Sequence, residues 1–256
     1  MGRGLTGRAA VVTGSSRGLG EAIARRLAAD GAAVLVSGRN QAEGDRVVGA
    51  IRAAGGQADW QAADVANATD CEALVQAAVD RFGRLDILVN NAAALGYSPI
   101  ESLTAETWDE VFAANVRGAF LLTRRAFEHM RRQGQGGNVV NIGTTHVRCP
   151  GIDRISYGCS KAALLAMTKA FARDGARDQI RVNWVTVGWV ATPRELEYQS
   201  LRHGDGAKFL SERAPHLAMG RLETPEEVAA GVAFLVSDAA AHITACELNL
   251  SGGNMI

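Results

Sequence analysis

Tyr157-Gly158-Cys159-Ser160-Lys161 sets a phenol and an ammonium four residues apart. On a helix that spacing brings both side chains to one face. An unperturbed tyrosine ionises near pH ~10, too high for efficient proton exchange at neutral pH. A cation beside the phenol stabilises the phenolate, so the spacing predicts a lowered Tyr157 pKa and a usable acid or base. The same pair also fits a surface helix with an incidental Tyr–Lys contact, and the spacing alone does not choose between them. Near the N-terminus, Thr13-Gly14-Ser15-Ser16-Arg17-Gly18-Leu19-Gly20 follows an apolar run and precedes a helical pattern. Glycines there let the backbone turn tightly against a pyrophosphate, whose charge the first helical amides can hold. The spacing is Gly-x-x-x-Gly-x-Gly, and an ordinary strand-to-helix turn is the plainer alternative. Asn90-Asn91-Ala92-Ala93 and Asp64-Val65 fall at the ends of two further apolar runs, where open parallel sheets bind ligands.

These residues need a scaffold, and the hydrophobic pattern supplies one. Strands are expected at 9–13, 33–37, 58–62, 87–90, 138–142, 180–186 and 247–250. Helices are expected near 19–30, 42–54, 70–82, 105–132, 157–173 and 225–237. Continuous apolar strands alternating with helices imply an α/β fold: a doubly wound, Rossmann-type parallel sheet covered on both faces. Thr224-Pro225-Glu226-Glu227 supplies an N-cap, a proline in the first turn and a capping-box glutamate. No linker divides the chain, so residues 1–256 are expected to form a single nucleotide-binding and catalytic domain. The weakly patterned stretch 193–220 is expected to be a mobile lid.

The 256 residues are 47% hydrophobic and 21% charged, a globular mixture without the signature of disorder. Lys plus Arg equals Asp plus Glu at 27 each, so no bulk charge favours nucleic acid or an anionic membrane. No apolar run reaches membrane-spanning length. Cys71, Cys149, Cys159 and Cys246 show no C-x-x-C pairing, which favours reduced thiols over disulfides or a metal site.

Taken together, the motifs resemble those of the short-chain dehydrogenases/reductases, particularly the cytosolic branch that includes bacterial ketoacyl reductases and sugar dehydrogenases. The resemblance runs from Thr13-Gly14 to Ser251-Gly252-Gly253. It rests on the glycine turn, Asp64-Val65, Asn90-Asn91-Ala92, Asn115, Tyr157 with Lys161, and Gly188 to Thr192, in the family's order and spacing. It implies hydride transfer between a nicotinamide cofactor and a carbonyl or secondary alcohol. Tyr157 is implied as the proton donor or acceptor, and Lys161 as its modulator and a ligand of the nicotinamide ribose. Asn115 is implied to hold a relay water. The pyrophosphate falls to Gly14, Ser16, Gly18, Leu19 and Gly20. Asp64, Val65 and Asn91 fall to the adenosine half and Val190 and Thr192 to the nicotinamide amide, with Ala92 and Gly188 also implied in cofactor binding. The resemblance also implies a cytoplasmic homotetramer, assembled through the helix carrying Tyr157 and its neighbour.

Three departures stand out. Thr144 occupies the position, thirteen before the tyrosine, where the family usually has serine. Ala93 ends the Asn-Asn-Ala-Gly pattern, and Val187-Gly188 replaces the usual Pro-Gly. Threonine keeps the hydroxyl but adds a methyl and stiffens χ1, so its hydroxyl can either face the substrate or be turned away. The second strand ends in Val36-Ser37-Gly38-Arg39 without the carboxylate that binds an adenosine ribose diol. With Arg17 and Arg39 in reach of a 2′-phosphate, NADP(H) is expected over NAD(H), unless both arginines are simply solvated. His146, Arg148, Asp153, Arg154, Trp189, Arg194, Glu195, Tyr198 and His203 fall near the expected pocket and lid. Several can face solvent, but if half of them point inward the pocket is polar and suits a sugar, polyol or hydroxy acid rather than a steroid. A silent nucleotide-binding protein and a lyase or isomerase on the same scaffold are the competing classes.

Overall fold

A computed structural model describes residues 4–149 and 151–254; the extreme ends of the expected 1–256 unit and Pro150 lie outside the described residues. The strands are β1 (Ala9–Val12), β2 (Ala33–Gly38), β3 (Gln57–Ala62), β4 (Ile87–Asn90), β5 (Gly137–Ile142), β6 (Ile180–Thr186) and β7 (Glu247–Asn249). They form one sheet in the order β3-β2-β1-β4-β5-β6-β7. Every pairing is parallel. The expected doubly wound sheet is therefore present, and each expected strand lies within a residue of its observed ends.

Both faces are covered because side chains along each strand alternate between two layers. In β1, Ala10 and Val12 face one layer while Val11 faces the other. The first layer contains α1 (Gly18–Ala29), α2 (Gln41–Ala53) and α9 (Pro225–Val236), with Ile23, Leu27, Val47 and Val232 fully buried. The second contains α3 (Ala68–Phe82), α5 (Ala119–Gln133) and α6 (Ile155–Gly175), through Leu74, Leu122, Phe127 and Ala172. Burying one such Leu, Ile or Val contributes roughly 1.5–3 kcal/mol, so the strands are locked in register by both layers at once. The chain reverses its direction of travel across the sheet between β1 and β4, leaving a crevice beyond their carboxyl ends.

Two expectations are corrected. The helix expected over 105–132 is α4 (Ala105–Phe112), a π-helical stretch at Ala113–Gly118, and then α5. A π turn inserts one residue without breaking the rod, so the apolar pattern runs through it unchanged. It coincides with a close approach, since a Cβ at Gly118 would lie 2.2 Å from the Val65 carbonyl oxygen.

The expected lid at 193–220 is not a loop. It contains α7 (Pro193–His203), α8 (Gly206–Arg213) and a 3-10 turn at Ala214–His216. Thr192 caps α7 by accepting from the Glu195 N–H, with Pro193 in its first turn. Asp205 caps α8 through the Lys208 N–H. The helices were hidden because their apolar stripe is thin, with Leu196 41% and Leu201 87% exposed. No helix among the described residues is long and apolar enough to cross a membrane.

Candidate active site

The crevice is a cleft of about 1130 Å³ that reaches from the end of β2 to the first turn of α6. Its floor is the glycine turn. Gly14 and Gly18 adopt positive φ of 61° and 58°, conformations that favour glycine. Gly20 has no such φ, yet a Cβ there would stand 2.3 Å from the Gly14 carbonyl oxygen and 2.5 Å from Asn91 Nδ2. Arg17, the residue before α1, makes no side-chain cap, and no side chain among the described residues accepts from the first amides of that helix. A positive helix end over a tight glycine cradle fits a dinucleotide pyrophosphate.

The turn is tied to the neighbouring strand by Thr13. Its Oγ1 accepts from the Asn91 and Ala92 N–H groups at 3.0 and 3.0 Å and donates to the Val89 carbonyl at 3.2 Å. Asn91 Nδ2 donates back to the Thr13 and Gly14 carbonyls at 2.9 and 3.1 Å. Its amide hydrogens therefore brace the glycine turn.

At the other end of the cleft, Thr144 follows β5 and Tyr157 stands in the first turn of α6. The Thr144 hydroxyl stands beside the Tyr157 phenol and favours its anion, and it accepts from the His146 N–H at 3.2 Å. Lys161 is 2% exposed and donates from Nζ to the Ile142 carbonyl at 2.7 Å. Gly143 lets β5 pass over buried Trp184, whose ring atoms would lie 1.9 Å from a Cβ. Below this, Asn90 donates to Asn141 (2.8 Å) and Asn141 to Thr168 (2.8 Å), a buried network joining β4, β5 and α6.

Asn115 lies in the π stretch. It accepts from the Ala94 N–H at 2.8 Å and donates to the Ala94 carbonyl at 2.8 Å and to Ser160 Oγ at 3.0 Å. Its amide hydrogens pin the loop after β4 to α6, the helix-interior bonding that is the structural part of the expected role.

The short chain dehydrogenase family profile matches residues 8–201. The chain belongs to the short-chain dehydrogenase family. An uncharacterized oxidoreductase of Methylorubrum extorquens is 41% identical over 252 residues, covering 97% of this chain and 98% of that protein. Glucose 1-dehydrogenase 2 of Bacillus subtilis is 34% identical, with 99% and 96% covered. Among solved structures, a variant of actinorhodin polyketide ketoreductase with NADPH superposes with a TM-score of 0.90 at 34% identity, covering 99% of this chain and 98% of that one. This short-chain dehydrogenase is accordingly an NAD(P)-dependent oxidoreductase acting on CH–OH or carbonyl groups.

Its electrostatics correct the expected tyrosine–lysine coupling. Burial pushes the Tyr157 phenol up; the Thr144 hydroxyl and the Arg154 and Arg194 cations oppose this. Lys161 is not among those influences, because its ammonium turns to Ile142 and lies 5.9 Å from the phenol ring centroid. Desolvation lowers Lys161 itself to about 8. His146 is held low by burial and by Arg154, which contacts its Nε2 at 3.0 Å.

Gly14, Ser16, Arg17, Gly18, Leu19, Gly20, Arg39, Asp64, Val65, Asn91, Ala92, Thr144, Tyr157, Lys161, Gly188, Val190 and Thr192 all line the one cleft. Asn115 stands behind it. Arg39 lies 3.9 Å from Asp64 at the rim, whereas Arg17 reaches across to Glu197 of α7 at 3.4 Å. Arg148 leaves the cleft for Glu247, and His203 stacks on Phe209.

Sequence reasoning missed Tyr97 and Glu223. Tyr97 lines the cleft and stacks on Tyr198 with ring centroids 4.0 Å apart. Glu223 is buried behind the Gly188 loop and accepts the Gly188 N–H at 3.0 Å. Neither belongs to a periodic element, and only the fold brings them to the site.

Proposed function

We propose that this dehydrogenase transfers a hydride between NADP(H) and the carbonyl or secondary alcohol carbon of a small, polar substrate. The observation that carries this is the paired Thr144 and Tyr157 hydroxyls, in the same cleft as the glycine cradle and Lys161. A bound nicotinamide supplies the hydride on reduction and takes it up on oxidation. On reduction, Tyr157 gives its phenolic proton to the oxygen of the reacting carbonyl, while the Thr144 hydroxyl donates a hydrogen bond to the same oxygen. A phenol held protonated by burial is the form this step requires. Oxidation is the reverse, with Tyr157 as acceptor.

Gly14, Ser16, Gly18, Leu19 and Gly20 would hold the pyrophosphate. Asp64, Val65 and Ala92 would line the adenosine half, with Asn91 bracing the turn beneath it. Lys161 would leave Ile142 in part to meet the nicotinamide ribose, and Gly188, Val190 and Thr192 would bracket the amide. Asn115 acts by fixing the loop after β4 against α6.

NADP(H) preference rests on Arg39 and on the lack of a carboxylate in Val36–Arg39. Arg17 contributes as it exchanges Glu197 for phosphate. Glu43 also lines this corner, with its Oε2 accepting from Ser16 Oγ at 3.1 Å. The protein would work in the cytoplasm as a homotetramer using α5 and α6, a proposal supported by half-exposed Phe120 on α5. Measuring kcat/KM with NADPH and NADH across a panel of sugars, hydroxy acids and simple ketones tests this reading. A clear advantage for NADPH is expected. An advantage for NADH would overturn the cofactor assignment, and no turnover with either would overturn the reaction.

A further inference from the structure

The substrate end of the cleft carries more positive charge than its own carboxylates answer. Arg154 lines the cleft with its guanidinium 4.5 Å from the centroid of the Tyr97 ring, against which it packs. One of its nitrogens contacts His146 Nε2 at 3.0 Å, and the rest of its fork hydrogen-bonds no protein acceptor among the described residues. Its nearest carboxylate is Asp153, at 3.9 Å from Nε. That carboxylate is itself taken by Arg202 at 2.7 Å.

Arg194, at the start of α7, lines the same space. Its one polar contact is a long 3.4 Å approach to the Ala93 carbonyl, and it forms no ion pair among the described residues. The neighbouring Glu195 also lines the cleft but forms no ion pair with Arg194 among the described residues. That carboxylate accepts from Trp189 Nε1 at 2.6 Å and from Gln199 Nε2 at 2.7 Å. Arg17 removes Glu197 from consideration in the same way. Both Arg154 and Arg194 act on the Tyr157 phenol, favouring its anion. The positive charge therefore lines the same end of the cleft as Tyr157.

We propose that Arg154 and Arg194 form an anion subsite, and that the substrate is a short oxo acid, or the matching hydroxy acid, whose carboxylate they bind. This rests on the hydride-transfer function above and names its substrate class. A planar guanidinium presents paired donors that match a carboxylate, and stacking on Tyr97 fixes its plane before substrate arrives. His146 contributes by position. Kept neutral by burial and by Arg154, it bears on that guanidinium without adding a charge that would repel it. Because the cations neighbour Tyr157, the anion must belong to the small substrate itself and not to a long carrier arm.

The test compares kcat/KM for 2-oxo, 3-oxo and 4-oxo acids of four or five carbons with that for each acid's methyl ester. The parent protein, Arg154→Met, Arg154→Lys and Arg194→Met are measured with NADPH. At least one acid should exceed its ester by about 100-fold in the parent. Each methionine variant should reduce that acid-to-ester ratio ~10–100-fold, the usual weight of a charge-assisted pair. Arg154→Lys, which keeps the charge, should recover part of the ratio. A variant that merely loosened the site would lower acid and ester together and leave the ratio fixed, which overturns the subsite. A parent that reduces esters or neutral ketones better than every acid overturns the substrate class while leaving hydride transfer standing. If no carbonyl of any kind is reduced, the underlying function fails, and the subsite with it.

Discussion

Replacing Glu223 by Gln should stabilise the protein at alkaline pH and leave it unchanged at acid pH. Glu223 is 7% exposed, and its main chain pairs with the cofactor-side loop, donating to the Trp189 carbonyl at 3.0 Å and accepting from the Ala191 N–H at 2.9 Å. Oε1 accepts from the Gly188 N–H, while Oε2 is buried without a partner among the described residues, as is the hydroxyl of Ser251. Burial pushes the carboxyl up to about 7; Glu227 adds to the rise, and the Gly188 N–H and Arg221 oppose it. A folded-state pKa above the ordinary 4.5 means that the folded protein prefers the protonated acid. Its stability contribution is therefore full below pH ~4.5 and is lost as pH rises through ~7. The rise from 4.5 to about 7 corresponds to roughly 3 kcal/mol above pH ~8. Glutamine retains the acceptor for Gly188 and cannot ionise. Urea unfolding of both proteins between pH 4.5 and 9 should give curves that meet at the acid end and diverge by about 2–3 kcal/mol at the alkaline end. Parallel curves across the whole range would refute the argument that Glu223 is a buried acid.

Other perturbations probe the cleft directly. Thr144→Ser should retain activity, whereas Thr144→Val, similar in shape without the hydroxyl that meets Tyr157, should lose roughly 10²–10³ in kcat; steady-state kinetics of the two variants decide it. Lys161→Met should weaken both NADPH binding and turnover, measured by cofactor titration beside kcat, because one buried ammonium is proposed to serve both. Gly20→Ala should abolish measurable dinucleotide affinity, since its Cβ would stand 2.3 Å from the Gly14 carbonyl oxygen, and isothermal titration with NADPH reads this.

The sheet was legible because its central strands β1, β2, β4, β5 and β6 are buried on both faces and so read as apolar runs, while the edge strands β3 and β7 carry polar residues. Thr224-Pro225-Glu226-Glu227 announced α9 correctly, with the capping box formed in full. A similar Thr-Pro-x-Glu start at Thr192 went unrecognised, because the pattern behind it is too polar to signal a helix. Its glutamate also differs in use, turning to Trp189 and Gln199 instead of back to the cap. The residues of the candidate site were legible as types and spacings, and the fold gathers them. Their directions were not. Lys161 turns to Ile142, Arg17 reaches Glu197 across 180 positions, and Asn91 turns to the glycine cradle. Those outcomes depend on which acceptors three-dimensional packing brings near, and a spacing rule along one helix carries no such information. The π turn at Asn115 was invisible for a related reason, since the helical pattern survives the insertion of a single residue.

The most direct test of the account is the steady-state rate of NADPH oxidation by Tyr157→Phe with the best carbonyl substrate, beside its NADPH dissociation constant. The substitution removes only the hydroxyl that stands beside Thr144. The account predicts a folded variant whose cofactor affinity is within a few-fold of the parent while kcat falls by ~10²–10⁴, the usual weight of general acid–base catalysis. Near-parental turnover in that folded variant would contradict it, because the proton would then come from a group other than Tyr157.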